Sequence, residues 1–307
     1  MDKKTLRLGG ILIILIVLAY LYQGPLKEWR AGLGKPKNFL ASVDAGQINK
    51  IEIIQKEKTV VLEKQGDKWK IGGAKDFYVR QSLAENLNKV LKEGAEAEME
   101  LASANKEKKG EFQTDESGIN VKLYQSGDIA ADFIVGKRAA DFATVYVSRP
   151  ESDNTYSIKA DLYGVFGRSD WHDKSIFSSD KEKINKIRFQ YSDREFTVEK
   201  TAADGADAWE GTIPYKFSVN KDKIDKILDL MSNLIATEIP EQKFEGTGLE
   251  KHLMVIQASG EGIENTIMVG NDNGEELYYA KRGDSDNIYL ITKEQRDALD
   301  KRIGDLK

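Results

Sequence analysis

Ile48-Asn49-Lys50-Ile51 occurs a second time in the chain as Ile184-Asn185-Lys186-Ile187. Two short runs rich in β-forming residues follow each copy and lead to a tryptophan, which is Trp69 in the first copy and Trp209 in the second. A Phe and then a Val follow each tryptophan at the same two spacings. Matches at fixed spacing over such a length indicate an internal duplication.

The later parts of the two copies also match. Each contains a Val-Gly pair, a Tyr three residues before an Arg, and a Ser-Asp-Asn stretch that leads to a Tyr. In the first copy these are Val135-Gly136, Tyr146 with Arg149, and Ser152 to Tyr156; in the second they are Val269-Gly270, Tyr279 with Arg282, and Ser285 to Tyr289.

Between the two matched parts, each copy has a helical pattern. Apolar residues recur at spacings of three and four, which is typical of one face of an amphipathic helix. They are Leu83, Leu87, Val90 and Leu91 in the first copy, and Ile224, Ile227, Leu228, Leu230, Met231 and Leu234 in the second. Alternating runs such as Asn120 to Tyr124 indicate half-buried antiparallel strands.

These patterns predict an α+β fold with two tandem, duplicated domains, each an antiparallel sheet plus a helix. We expect the domains at residues 46–170 and 184–307, and a junction at 171–183. The junction contains Trp171, Ile176 and Phe177, a composition that favours a packed segment over a loose tether. Strand order does not follow from these patterns.

Composition excludes several classes of chemistry. The 307 residues include no Cys, so disulfides, thiolate metal sites and cysteine nucleophiles are ruled out. The only two His residues, His172 and His252, leave little room for zinc or Ser-His chemistry. A formal charge of −5 gives no reason to expect a nucleic-acid partner. No Walker loop, dinucleotide fingerprint or G-x-S-x-G elbow is present.

Residues 8–26 (LGGILIILIVLAYLYQGPL) carry no charge and follow Lys3, Lys4 and Arg7. As a helix they extend about 28 Å, close to the thickness of a bilayer core. A cleaved signal peptide is the alternative, but residues 20–25 contain no small-x-small pair for cleavage. A buried core helix is a third interpretation. We therefore expect an uncleaved transmembrane signal anchor.

The orientation of this anchor rests on a near tie between basic residues on its two sides. The short segment 1–7 resembles the usual cytoplasmic tail of a signal anchor, which favours extracytoplasmic C-terminal domains. Residues 27–45 then form a juxtamembrane spacer. The expected location is the cell membrane, with a single pass and contact to the lipid bilayer through residues 8–26.

The duplicated Trp69 and Trp209 occupy one slot in both copies, which favours a role in the core over ligand stacking. His172 lies near Asp170 and Asp173, a grouping that suggests a metal or acid–base role. Since metal sites need several converging ligands, we interpret His172 as a polar residue of the junction, and His252 likewise as a structural residue.

Two further segments, residues 271–276 and 282–284, resemble known binding motifs. Residues 271–276 (NDNGEE) resemble part of a calcium loop, but the twelfth position is Arg282 where a Glu is needed, so a hairpin turn is expected. Arg282-Gly283-Asp284 spells an adhesion tripeptide; its counterpart, 149–151, reads Arg-Pro-Glu, so a shared tight turn is expected. We therefore predict no catalytic, cofactor-binding or metal-binding residues.

The N-terminal anchor, the INKI strands, the W…F-x-V pattern before each helix and the WHDKSIF junction (171–177) together resemble a known family. It is a bacterial domain-of-unknown-function family of membrane-anchored envelope proteins, described as auxiliary components of gliding-motility-type ABC transport systems. The resemblance covers essentially the whole chain. It implies a non-enzymatic auxiliary subunit of an ABC-type transport complex, with a membrane permease or ATPase subunit as partner and no cofactor.

Two further hypotheses remain open. The first is a free-standing cell-envelope module that binds a wall polymer or a surface protein. The second is a hydrolase that uses acidic residues in a cleft between the halves, which would require a pair of carboxylates with a raised pKa.

Overall fold

The computed structural model describes residues 38–56, 58–73, 75–203 and 206–307. The expected tail 1–7, the expected anchor 8–26 and the first part of the expected spacer 27–45 lie outside the described residues. Within those described ranges, no helix has the length and apolar character needed to cross a membrane.

Two eight-stranded antiparallel sheets form the fold, one for each repeat. The strands of the first sheet are β1 (Ile48–Gln55), β2 (Lys58–Gln65), β3 (Lys68–Ile71), β4 (Glu100–Ser103), β5 (Ile119–Gln125), β6 (Asp128–Arg138), β7 (Val145–Ser148) and β8 (Thr155–Ile158). They lie in the order β3-β2-β1-β5-β6-β7-β8-β4.

The second sheet has the same plan. Its strands are β9 (Ile184–Tyr191), β10 (Glu195–Ala203), β11 (Ala206–Ile213), β12 (Phe217–Ser218), β13 (Met254–Gly260), β14 (Ile263–Asp272), β15 (Leu277–Arg282) and β16 (Ile288–Thr292). They lie in the order β12-β11-β10-β9-β13-β14-β15-β16. The strand that begins with Ile-Asn-Lys-Ile lies beside β5 in the first sheet and beside β13 in the second. The edges of the sheets differ, because β4 lies beside β8 in the first sheet and β12 lies beside β11 in the second. The duplication and the α+β architecture are thereby confirmed.

Among the described residues, helices are few and mostly short. They are α1 (Gln81–Glu96), α2 (Lys109–Phe112), α3 (Leu162–Phe166), α4 (Lys221–Ser232), α5 (Lys293–Leu299) and α6 (Ile303–Leu306). Asn220 caps α4 by accepting hydrogen bonds from the backbone N–H groups of Asp222 and Lys223, at 3.0 and 3.2 Å. Both long helices, α1 and α4, lie where the sequence predicts them, and the residues at the centre of each predicted apolar face are buried.

The sheets bury the apolar positions of their alternating strands. In β1 the buried residues are Ile48, Ile51 and Ile53. Ile51 lies opposite Leu123 in β5, so both apolar side chains point to the same face. The predicted hairpin turns are also present, at Gly66-Asp67 between β2 and β3, and at 273–276 between β14 and β15.

The chain divides into two compact units that do not coincide with the two repeats. Of the described residues, the first unit contains 38–59 together with 86–168, and the second contains 60–85 together with 169–307. Backbone hydrogen bonds explain why 60–85 belong to the second unit. The N–H of Asp173 donates to the carbonyl of Tyr78 at 2.8 Å, and the N–H of Arg80 donates to the carbonyl of Trp171 at 3.1 Å.

The described end of the expected spacer is part of the first unit. Phe39, Leu40 and Val43 are buried there, and the ring of Phe39 makes an edge contact with Phe133 at 5.4 Å between centroids. Residues 38–43 therefore contribute to a core as well as connecting segments.

Candidate functional site

The corner between β15 and β16 is held by Arg282. Its Nε and Nη2 donate to the two carboxylate oxygens of Asp284 at 2.8 and 2.7 Å, and its Nη1 donates to the carbonyl of Ile176 at 3.2 Å. The guanidinium also lies over the ring of Phe177, 5.8 Å from the centroid. The hydrogen bonds from Arg282 keep the pKa of Asp284 below its usual range. The Arg-Gly-Asp stretch is thus a turn whose two charges bind each other.

This corner is covered by residues that precede α1. The Nδ2 of Asn287 donates to the carbonyl of Asp76 at 2.9 Å, and the rings of Phe77 and Tyr289 meet edge to face at 5.9 Å. Tyr289 is only 5% exposed, and its burial raises the pKa of the phenol. A tyrosine phenol is already protonated at neutral pH and can donate a hydrogen bond, and burial favours this form further.

A cavity of about 470 Å³ lies at this place in the second unit. Trp69, Phe77 and Tyr289 contribute aromatic surface to its lining, and several serines contribute hydroxyl groups. Its charged lining residues are Lys68, Asp76, Asp173, Arg282 and Asp284. An aromatic surface with convergent polar groups is the usual composition of a binding pocket.

The carboxylates of this cavity are engaged by neighbouring groups. Asp76 pairs with Lys70 at 2.5 Å, and Asp173 accepts the backbone N–H of Ser175 at 3.0 Å. Asp284 is bound to Arg282, and the pKa shift of its carboxyl is downward. A general acid requires the opposite shift. The arrangement is suited to recognition of a polar ligand.

His172 lies beside this region in a small ionic cluster. Its Nδ1 lies 2.8 Å from Oδ1 of Asp170, and Nζ of Lys174 lies 3.1 Å from Oδ2 of the same carboxylate. Partial burial by itself would raise the pKa of Asp170, but the hydrogen bonds from His172 and Lys174 lower it to about 2. The His172 ring also makes an edge contact with Phe77, at 5.2 Å. These contacts explain His172 as a residue that stabilises the junction.

The remaining sequence candidates are the two tryptophans and His252. Trp69 and Trp209 are 2% and 7% exposed, so both belong to the core as predicted. His252 ends a short 3-10 turn in the left-handed conformation, at a φ of 49°. In the part of the chain that the structure describes, no three or more His, Asp or Glu side chains are grouped to hold a metal ion.

The calcium-like segment 271–276 is the predicted hairpin turn. Oδ1 of Asn273 accepts the N–H groups of Glu275 and Leu277 at 2.9 and 3.2 Å, and Asp272 accepts the N–H of Gly274. The oxygens that resemble calcium ligands thus bind the backbone of the turn itself.

The first repeat has a matching arginine contact, which is made by Arg149. Nη2 of Arg149 donates to the carbonyl of Phe39 at 3.2 Å, and its guanidinium lies 5.7 Å from the centre of the Phe39 ring. The repeated serine also acts alike, because the Oγ of Ser152 and the Oγ of Ser285 each accept an asparagine N–H at 3.1 Å. The repeated polar residues thus build the same corner twice.

The repeated glycines have an equally local cause. A Cβ on Gly136 would lie 2.2 Å from the carbonyl oxygen of Phe112, and a Cβ on Gly270 would lie 2.1 Å from that of Thr247. Only glycine lets the backbone pass this close to the sheet.

A second cavity, of about 430 Å³, lies around α5. Arg194 and Arg296 both bind the carboxylate of Asp300, at 2.5 and 2.8 Å. Each guanidinium also lies over a tyrosine ring, 3.8 Å from the centroid of Tyr191 and 5.5 Å from that of Tyr278. This network holds α5 and the following residues against the sheet.

The sequence did not predict that residues 75–77 pack over the corner between β15 and β16. Residues 75–77 carry no motif, and the partners of Asn287 and Tyr289 lie far away in the chain. The one available signal was the Phe that both copies share, at positions 77 and 217. It indicates a repeated packing position but does not predict which residue it contacts.

Comparison with known proteins gives one match. The family model described as "Domain of unknown function (DUF4340)" matches residues 81–211 and again residues 209–307. No curated protein and no solved structure matches the chain. Together the two matches cover most of the chain. Each begins near the long helix of a repeat, and the first continues through β9 and β10 of the second sheet, so their bounds are shifted from those of the two sheets. The chain therefore belongs to the DUF4340 family of domains of unknown function, which it carries in two tandem regions.

Proposed function

We propose that this chain is a non-enzymatic auxiliary subunit of an ABC-type transport or gliding-motility-like complex in the cell membrane. Residues 8–26 hold it in the bilayer, and the duplicated α+β region acts as an extracytoplasmic interaction domain. A single helix cannot form a translocation path, so the permease or ATPase subunit supplies that path and the energy source.

One observation carries the non-enzymatic part of this proposal. The polar residues that both repeats share are bound to the fold itself, as Arg149 is to Phe39 and Arg282 to Ile176. A duplication that keeps structural contacts is a way to build a larger scaffold, and scaffolds with two similar faces suit assembly with other proteins.

The electrostatics of the cavity agree with this interpretation. Asp76 pairs with Lys70 and Asp284 with Arg282, and the hydrogen bonds from Arg282 lower the pKa of Asp284. A carboxyl that acts as a general acid at neutral pH needs a raised pKa, which requires the opposite environment.

The test is purification of the full-length chain from its native membrane after mild cross-linking, with quantitative mass spectrometry. We expect an ABC permease or ATPase subunit in near-stoichiometric amount. A preparation that contains the chain at full yield and no transport subunit rejects the proposal.

A free-standing envelope-binding module is the second candidate, and the cavity of about 470 Å³ favours it. Titration of the full-length chain with soluble wall-polymer fragments separates the two candidates. Saturable binding that Asp284→Asn weakens at least tenfold, with no transport subunit recovered, supports the second candidate. The variant Glu276→Gln, outside the lining, is the matched control.

A further inference from the structure

A segment of the first repeat packs on the corner between β15 and β16 in the second unit. Residues 75–79 form this segment. Nζ of Lys75 donates to the carbonyl of Asp286 at 3.1 Å. The ring of Phe77 packs edge to face against the ring of Tyr289, with 5.9 Å between centroids. A segment of this kind and a corner of this kind therefore fit each other.

The duplication provides a second segment. Residues 215–219 follow Trp209 at the spacing at which residues 75–79 follow Trp69. In both segments the N–H of the valine donates to the carbonyl of that tryptophan, at 2.8 Å in the first repeat and 3.2 Å in the second. The two segments therefore hold the same place in their repeats.

This second segment presents an apolar surface to solvent. Tyr215 is 53% exposed, and Ile213 before it is 49% exposed. The ring of Phe217 packs on the backbone of Gly211 and leaves no room for a Cβ there, so the exposed ring of the segment is that of Tyr215. Neighbouring apolar side chains that are exposed together mark an interaction surface.

The matching corner of the first unit, between β7 and β8, lacks such a segment among the described residues. Tyr156 holds the position of Tyr289, yet it is half-buried where Tyr289 is 5% exposed. Leu101 lies opposite Tyr156 in the neighbouring strand β4 and is 59% exposed. Since paired residues of antiparallel strands point to the same face, Leu101 and Tyr156 form one apolar surface.

The two surfaces also carry complementary charges. Glu151 and Asp153 at the corner are exposed and form no ion pair with any residue that the structure describes. Arg149 and the buried Lys109, which lie at the same corner, each donate to a backbone carbonyl of the first unit. Lys216 on the segment is exposed and has no ion pair within the described ranges either. Opposite charges favour contact of the segment with the corner over contact of either surface with its own kind.

We propose that a second copy of this chain covers the corner of the first unit. Residues 215–219 of that copy, with Ile213, pack on Leu101 and Tyr156 in the way that residues 75–79 pack on the second corner. Because the two surfaces differ and each copy has one of each, the contact is heterologous and adds copies in an open row. This self-association goes beyond the proposed function and does not depend on it.

The first measurement is sedimentation velocity of the full-length chain in detergent over a range of concentrations. We expect the wild type to grow beyond a dimer as concentration rises, because every row leaves one corner and one segment open. Leu101→Lys places a cation on the corner that meets a cationic segment, and Tyr215→Glu places an anion on the segment that meets an acidic corner. Each substitution should weaken association at least tenfold.

Ile129→Lys and Leu253→Glu are the matched controls, since both residues are apolar, exposed and outside the two surfaces. They should change association less than twofold, and thermal unfolding verifies that all variants fold. A wild type that stays a monomer or stops at a dimer overturns the inference, as does association that neither Leu101→Lys nor Tyr215→Glu weakens. A monomeric wild type whose recovery of a transport subunit from native membranes falls with Leu101→Lys identifies that subunit as the occupant, which also overturns the inference.

Cysteine cross-linking tests the pairing of the two surfaces. The chain contains no Cys, so Asp153→Cys and Tyr215→Cys can be placed on separate copies without a competing thiol. We expect mild oxidation of the mixture to give a disulfide-linked heterodimer, because the two positions match those of Asp286 and Lys75, which are in contact. A mixture of Asp153→Cys with Leu253→Cys should give at least tenfold less heterodimer. Equal yields from the two mixtures overturn the inference and leave the proposed function standing.

Discussion

The corner at Arg149–Tyr156 and the corner at Arg282–Tyr289 share the contacts of their arginine. They differ in the segment that packs over the asparagine and the tyrosine. Each arginine binds a backbone carbonyl at 3.2 Å and lies over a phenylalanine ring. In the first corner, Asn154 donates to the hydroxyl of its own neighbour Tyr156, at 3.0 Å, and Tyr156 is half-buried. In the second, Asn287 donates to the carbonyl of Asp76 and the tyrosine is buried.

The difference shows how one motif serves two settings. The serine contact is local to each corner, and each arginine binds a segment that precedes the first strand of its own repeat, Phe39 before β1 and Ile176 before β9. The duplication therefore preserved both contacts. The asparagine and tyrosine contacts depend on which segment covers the corner. In the second unit, residues 75–77 do so, and Nζ of Lys75 also donates to the carbonyl of Asp286 at 3.1 Å.

The largest expected effect tests what the two repeats share. Gly136→Ala and Gly270→Ala each place a Cβ about 2 Å from a carbonyl oxygen, and we expect each to lower the free energy of unfolding by about 3 kcal/mol. Urea unfolding of the full-length chain measures this, with Gly304→Ala as the control because nothing lies near its Cβ. A loss below about 1 kcal/mol at either site contradicts the close approach.

Removing the arginine contacts is expected to have the next largest effect on stability. Arg282→Ala removes the bonds to Ile176 and Asp284, for which we expect about 2 kcal/mol of destabilisation; Arg149→Ala removes one carbonyl bond, for about 1 kcal/mol. Lysine at either position keeps the positive charge but lacks the planar guanidinium that donates several hydrogen bonds. We therefore expect it to recover little of the lost stability. Equal losses at the two corners in urea unfolding would show that the Asp284 pair adds nothing.

The two asparagines test whether residues 75–77 stabilise the second corner. Asn287→Ala should cost about 1 kcal/mol, against about 0.5 kcal/mol for Asn154→Ala, because only Asn287 is buried and holds a distant segment. Hydrogen exchange resolves the cause: the amides of Arg80 and Asp173 should exchange faster in the Asn287 variant alone. Unchanged exchange at both amides in that variant refutes a role for Asn287 in holding the cover.

The smallest effect concerns pH at the junction. The pKa of Asp170 is about 2 in the folded chain and about 3.9 when unfolded, so its stabilisation is present above pH 4 and is lost as pH falls through 2. The side chain is nearly half exposed, so solvent screening limits the contribution to about 1 kcal/mol.

Unfolding of wild type and Asp170→Asn at several pH values measures this contribution. The difference between the two proteins should be present at pH 7 and vanish near pH 2. A difference that does not change with pH contradicts the ionic role of Asp170.

The fold could be predicted from the sequence to the level of repeats, element types and hairpins. The spacing of Leu87, Val90 and Leu91 locates α1, and that of Ile224, Ile227 and Leu228 locates α4, because one turn of a helix repeats every 3.6 residues. The site could be predicted only in part. The tryptophans are buried and residues 271–276 form a hairpin turn, as the sequence predicts, but the cavity next to Arg282 combines segments that the sequence separates widely.

The sequence by itself determined the duplication, the α+β class and the turns, because each of these follows from interactions over a few residues. Only the tertiary structure decided strand order, the placement of 60–85 in the second unit and the exposure of Tyr215. These depend on which distant backbone groups pair and which surfaces become covered. A hydrogen bond such as that from Asp173 to Tyr78 has no local pattern, since its partners meet only when the chain has folded.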